Sequence, residues 1–282
     1  MRIGLAGIDS SHAEDFLRHF NVEERHHDIR VTTVWGPDMP PVRVAELATL
    51  SADVRTAATL DELIADVDAV IVGDRHGDLH LRHALAGLAA GRPVFIDKPL
   101  ACTPADAEAI VDAAEAAGTP LLSGSALRWQ DETVALRARL AYCEEPAAVQ
   151  VYGTWYPDSP YGGAIFYAIH TIELMQELVG VEWRDMRIEV RGAHPVVRCR
   201  CGEIDAALAF HPLGESGSSD FGVRIASPRL TMERRIHLGD DYMLPVVNRI
   251  VRMLQSGKGD MTRDQLLAPV RMMAEIGALL RT

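Results

Sequence analysis

The sequence predicts two domains, an α/β domain built on a parallel sheet and then an α+β domain built on a mainly antiparallel, open sheet. Three observations predict this. The chain has 282 residues, more than a single hydrophobic core usually serves. Up to residue 122 short apolar runs alternate with helical patterns of about 10 to 15 residues, which implies βαβ units. From residue 123 the pattern changes to consecutive strand-like runs, the mark of antiparallel pairing. The domains are therefore placed at 1–122 and 123–282.

RIGLAGI opens as a strand, by its apolar content and the polar turn that bounds it. Ala13 to Phe20 reads as a helix, IRVTTVW as a second strand and Val42 to Leu50 as a second helix. After VRTAATL and DELIADV come the strand AVIVGD, the helix LHLRHALAGLAAG ending at Gly91, and the strand PVFIDKPL. PADAEAIVDAAEAAG has Pro104 near its start and Gly118 at its end, the punctuation expected of a helix. TPLLSGSAL is another strand. In the second domain a helix is expected from Asp131 to Tyr142, followed by the strands AVQVYGTWY, MRIEVRG, PVVRCRCG, IDAALAFH, FGVRIAS and LTMERRIHL. The tail from Tyr242 to Leu280 returns to helix, broken by the SGKGD turn.

A composition of 48% hydrophobic and 24% charged residues suits a globular chain with a sizeable core. No run approaches the length of a membrane span and Met1 leads directly into a strand-like run, so a cytoplasmic protein with no membrane partner is expected. The net charge of -12 argues against nucleic acid, whose binding rests on basic patches. Of the four cysteines, Cys102, Cys143, Cys199 and Cys201, the last two alternate onto one face of a strand. Ligands at recognisable metal spacing are lacking, so reduced cysteines and no metal are expected.

Gly7-Ile8-Asp9-Ser10-Ser11-His12 sits where a Rossmann domain carries G-x-G-x-x-G. In that motif the second glycine lets the backbone approach a pyrophosphate and the third lets helix pack on strand. Asp9 and His12 fill those two places, and Asp9 adds a negative side chain. Ser11-x-x-Glu14 fits a capping box that would start a helix here, leaving amides able to meet an anion. Read plainly, Asp9 and Ser11 only form the turn and cap the helix. The carboxylate that should grip the adenosine ribose is displaced to Asp38, after Gly36. Arg43 reads either as a solvated surface arginine or as a partner for a 2'-phosphate.

Residues 71 to 101, IVGDRHGDLHLRHALAGLAAGRPVFIDKPLA, resemble the glucose-fructose oxidoreductase / inositol dehydrogenase (Gfo/Idh/MocA) family. Asp97-Lys98-Pro99-Leu100-Ala101 matches its E-K-P motif with Asp for Glu, at matching spacing from His80 and Gly91. Gly162-Gly163-Ala164-Ile165-Phe166-Tyr167-Ala168-Ile169-His170-Thr171-Ile172-Glu173-Leu174 matches the family helix that lines the active site. Ser123 to Trp129 falls at its substrate-facing strand end.

The resemblance implies a Rossmann dinucleotide-binding domain, NAD or NADP as cofactor, and hydride transfer to or from a hydroxyl or carbonyl carbon of a sugar, polyol or cyclitol-like small molecule. It implies Lys98 and His170 as the catalytic pair. It places the cofactor against Gly7 to His12, Asp38, Asp74, Arg75, His76, Asp97 and Lys98, and the substrate between the domains against Arg128, Tyr156, Tyr167 and Glu173. It further implies a homodimer or homotetramer assembled through the second sheet. Lys98 would polarise an oxygen and neutral His170 accept a proton. Solvated or core-packing roles for the two residues stay open.

Departures cluster on the cofactor side. The family acid four residues before the histidine is Phe166, and Arg75-His76-Gly77 replaces the family's Thr-Pro-Asn tripeptide. Arg75 is read as a counter-charge to Asp9 or an anion contact, and His76 as a second acid/base group or a plain loop histidine. Trp155, Tyr156 and Tyr161 form either an aromatic wall or packing. The alternative function is a relative without ordinary dinucleotide use, a ligand-binding or partner protein, or a lyase or isomerase.

Overall fold

The computed structural model describes residues 1–36, 40–142, 148–214, 219–229 and 231–281. Asp38 and Cys143 lie outside them. Two compact units emerge: Met1–Gly124 with Met243–Leu266, and Ser125–Tyr242 with Leu267–Thr282.

The first unit holds a six-stranded parallel sheet in the order β3-β2-β1-β4-β5-β6. Its strands are β1 (Arg2–Ala6), β2 (Arg30–Trp35), β3 (Arg55–Thr56), β4 (Ala69–Val72), β5 (Val94–Ile96) and β6 (Leu121–Ser123). The helices between them are α1 (His12–Leu17), α2 (Pro41–Leu50), α3 (Leu60–Ala65), α4 (His80–Ala89) and α5 (Pro104–Ala117). Strand residues buried on both faces, such as Val70, Ile71, Phe95 and Ile96, explain the unbroken apolar runs of the sequence. The order reverses between β1 and β4, so the crevice outside the carboxyl ends of β1, β4 and β5 is where such sheets bind ligands.

Local chemistry accounts for the helix ends. Thr103 accepts from the Asp106 amide with Pro104 behind it, and Gly118 closes α5 in the left-handed region at φ 60°. The expected capping box at Ser11 does not form. Ser11 takes helical backbone angles and makes no side-chain cap; Ser10 Oγ accepts from the His12 amide at 3.1 Å instead. The expected helix over 13–20 ends at Leu17 and continues as a wider π turn over Arg18–Val22. The strand expected over PVFIDKPL stops at Ile96, which leaves Asp97-Lys98-Pro99 in the turn at its carboxyl end.

The second unit begins with α6 (Asp131–Ala141), then carries a sheet in the order β12-β11-β7-β10-β9-β8. The strands are β7 (Ala148–Trp155), β8 (Arg184–Arg191), β9 (His194–Cys201), β10 (Ile204–Pro212), β11 (Phe221–Ala226) and β12 (Thr231–Arg235). All pairs are antiparallel except β7 with β10. One face is covered by α7 (Ile165–Val179). A Cβ on Gly153 of β7 would lie 2.1 Å from Thr171 Oγ1, so glycine is required for this close approach of helix to strand. Cys199 and Cys201 are buried on one face of β9.

Of the two C-terminal helices, α8 (Leu244–Ser256) groups with the first unit, and α9 (Arg263–Leu279) begins in the first and continues in the second. The sequence places both in the second domain; helix periodicity does not say which apolar surface a helix will cover. Among the described residues no helix is long and apolar enough to cross a membrane.

Candidate active site

The carboxyl edge of the first sheet gathers most of the cofactor residues expected from the sequence. Gly7 follows β1 at φ +86°, and a Cβ there would meet the Asp74 amide nitrogen and carboxyl carbon, each at 2.4 Å. Its amide donates to the Trp35 carbonyl at 2.8 Å. The first glycine of the motif is thus retained for both its angle and its space.

The other two glycine places are filled by side chains with partners. Asp9 accepts the Arg75 amide at 2.9 Å, so the loop after β4 meets its carboxylate through the backbone. His12 Nδ1 lies 2.8 Å from Asp97 Oδ2. Burial pushes the Asp97 carboxyl up, but His12, then Lys98 and His80, outweigh it and hold the group well below the usual carboxylate range.

Arg43 corrects its reading as a solvated side chain. From α2 it donates to the Ile8 carbonyl at 2.6 Å and the Ser10 carbonyl at 2.8 Å, and it grips both oxygens of Glu14. It is a clasp on the turn after β1, with its guanidinium committed inside the protein.

Behind the edge, His83 Nδ1 meets Asp74 Oδ2 at 2.7 Å with both side chains buried. The ring nitrogens of His80 reach the Asp74 carbonyl at 2.8 Å and the Pro99 carbonyl at 2.7 Å, tying the β4 and β5 loops together. His76 Nδ1 accepts the Asp78 amide at 3.3 Å. Lys98 is 7% exposed. A chain with 28 lysines and arginines has lysine at only two places, 98 and 258, and arginine at the rest, so an ammonium at 98 differs in kind from nearly every other cation of the chain.

A bound dinucleotide is tested by these residues. A concavity beyond β2, lined by Trp35, Gly36, Thr59, Asp61 and Arg82, suits an adenosine, and the Gly7 turn suits the approach to a phosphate. The second and third glycine positions provide side-chain groups in place of bare backbone. The residues fit the cofactor with altered phosphate contacts.

In the second unit His170 stands on α7, and Ser125 Oγ lies 2.6 Å from its Nδ1. Ser125 is fixed in turn: its amide donates to Glu173 Oε2 at 2.6 Å and its Oγ accepts the Leu127 amide at 3.2 Å. Arg128 and Glu173, expected at the substrate, are 2% and 3% exposed. They pair with each other at 2.8 Å, and Arg128 also reaches Glu177 at 3.1 Å. Tyr167 is half-buried, its ring 5.0 Å from Phe166 and 6.4 Å from His170. Tyr156 is exposed. Trp155 stacks on Phe210 and Tyr161 leans on Phe166.

Sequence reasoning missed Ser125 as the partner of His170. It looked for an acid on the histidine's own helix, and no local pattern ties residues 45 positions apart. In the tautomer that donates Nδ1–H to Ser125, Nε2 carries the lone pair and acts as a base.

Residues 1–125 match a family model described as oxidoreductase family, NAD-binding Rossmann fold. An inositol 2-dehydrogenase of Acidiphilium cryptum is 35% identical over 133 residues, which cover 46% of this chain and 38% of that protein. The match thus spans well under half the length of that curated relative. Solved structures extend the likeness in fold to the whole chain. GenD2 from gentamicin A biosynthesis, in complex with NAD, has a TM-score of 0.83 at 18% identity, covering 99% of this chain and 93% of its own. A Gfo/Idh/MocA family oxidoreductase from Vibrio cholerae has a TM-score of 0.78 at 17% identity, covering 100% of both.

Proposed function

We propose, from the premise that residues 1–125 belong to the Gfo/Idh/MocA oxidoreductase family with its NAD-binding Rossmann fold, that this protein is an NAD(P)-dependent oxidoreductase. Its substrate is a small polyhydroxylated molecule, a polyol, cyclitol or sugar derivative, reacting at one hydroxyl or carbonyl carbon. The observation that carries the reading is Lys98, a buried lysine just past the carboxyl end of β5 in a chain with only one other lysine.

Each residue has a defined task in this reading. A bound nicotinamide would supply hydride-transfer chemistry at the reacting carbon. His170 takes the hydroxyl proton during oxidation and returns it during reduction. Ser125 holds the ring through Nδ1, and Glu173 holds Ser125. Lys98 keeps its proton and stabilises the alkoxide oxygen as it forms. The Gly7 to His12 turn and the Trp35–Arg82 concavity hold the cofactor, and Tyr167, next to His170, faces the substrate.

Titration with NADH and with NADPH, followed by tryptophan fluorescence and melting temperature, tests the reading. Saturable binding of one of them is expected, lost in Gly7→Val, whose side chain would strike Asp74 at the turn. Absence of any shift with either at millimolar concentration overturns it. The His12–Asp97 pair at the third glycine position favours one second reading, a relative that keeps the scaffold for a ligand without a dinucleotide. That reading predicts the null titration.

A further inference from the structure

We propose that His76, Asp78 and Cys102 form a binding site for a divalent cation of the zinc class. The three residues come from the loops after β4 and β5. The His76 ring nitrogen, an Asp78 carboxylate oxygen and the Cys102 sulfur all lie within 4.8 Å of one another, and no ion is present. His76 Nδ1 is 3.8 Å from Asp78 Oδ2. In a tetrahedral zinc site, with bonds of about 2.0 to 2.3 Å, ligand atoms sit about 3.3 to 3.8 Å apart. Small side-chain rotations therefore close the set.

The chemistry of the donors is mixed, with one imidazole, one carboxylate and one thiol, the combination that suits zinc and related borderline metals over magnesium or calcium. His76 Nδ1 accepts a hydrogen bond from the Asp78 amide at 3.3 Å, so the lone pair is on this nitrogen, and a metal would take it in exchange for that long bond. The loops are built to meet. A Cβ on Gly77 would lie 2.9 Å from Cys102 Sγ and 3.0 Å from Pro99 Cγ, so glycine lets the thiol come in under the His76–Asp78 turn. Asp78 and Asp106 place negative charge near the sulfur. A cation offsets that charge. Three protein ligands leave a fourth position for water or another oxygen.

Sequence spacing hides this site, since the third ligand stands on another loop. The site shares His76 with the cofactor residues expected from the sequence, but it can be judged without turnover. Cobalt(II) titrated into metal-stripped full-length protein reports thiolate coordination through a sulfur-to-cobalt charge-transfer band, and equilibrium dialysis with zinc gives stoichiometry. One equivalent per chain is expected, with the band lost in Cys102→Ser and zinc affinity reduced at least about tenfold in both Cys102→Ser and His76→Ala. Circular dichroism of each variant without metal checks that the fold is kept, and Asp78→Asn, the mildest change, should weaken zinc without removing the band. No charge-transfer band in the wild type, or a band that survives in Cys102→Ser, overturns the proposal.

Discussion

The two units hold their histidines in opposite ways. In the first, rings are set directly on carboxylates, His12 on Asp97 and His83 on Asp74. In the second, His170 rests on the hydroxyl of Ser125, and the carboxylate, Glu173, stands one step back on the Ser125 amide and Arg128. A carboxylate only accepts from the ring, whereas a hydroxyl can donate to the ring nitrogen or accept from it. The first arrangement suits shaping a loop. The second suits moving a proton.

The sharpest break of this contrast is Lys98→Ala, next in sequence to Asp97, the carboxylate that holds His12. Turnover should fall about 100- to 10 000-fold with the melting temperature kept, and Lys98→Arg should not restore it, because a guanidinium differs in shape and donor geometry. A variant that melts several degrees lower would make Lys98 a structural residue instead.

Next in size is Glu173→Ala. It leaves Arg128, buried and partly unpaired, with only Glu177, so urea denaturation should show a loss of about 3 kcal/mol. Glu173→Gln keeps an acceptor for the Ser125 amide and should cost clearly less; equal losses would mean that the charge contributes nothing.

Ser125→Ala removes the hydroxyl under His170. A lost neutral hydrogen bond corresponds to about tenfold in kcat, with a displaced pH–rate profile, and Ser125→Thr should restore both. A lower rate with an unchanged profile would argue that Ser125 only packs.

The smallest effect belongs to Asp97→Asn, read through pH. The Asp97 carboxyl is held below its unfolded value, so its stabilising contribution is present above about pH 4 and lost as pH falls through the folded value. The stability gap between wild type and variant, about 1 kcal/mol at pH 7, should therefore narrow between pH 4 and more acidic solution. A gap constant across that range would remove Asp97 from the charge pair.

Much of the fold was legible because it is written locally. Apolar runs buried on both faces marked β1, β4 and β5, Pro104 and Gly118 bounded α5, and alternation put Cys199 and Cys201 on one face. The site was legible only in part. The first glycine, the Asp97-Lys98-Pro99 turn and the helix of His170 could be placed from motifs. The partners could not: Ser11-x-x-Glu14 looked like a capping box, yet Glu14 is held by Arg43 from another helix, a competition that local spacing does not display. His12 with Asp97 and Ser125 with His170 are likewise contacts made by the fold between segments distant in sequence, as is the approach of Cys102 to within 4.8 Å of His76.

The scarcity of lysine has a practical consequence. Only Lys98 and Lys258 carry side-chain amines, the first buried and the second exposed on the turn before α9. Isotope-labelled methyl groups placed on amines by reductive alkylation would give a spectrum almost free of overlap. In that spectrum the proposed catalytic ammonium could be followed by itself, as cofactor or substrate is added, in otherwise native protein.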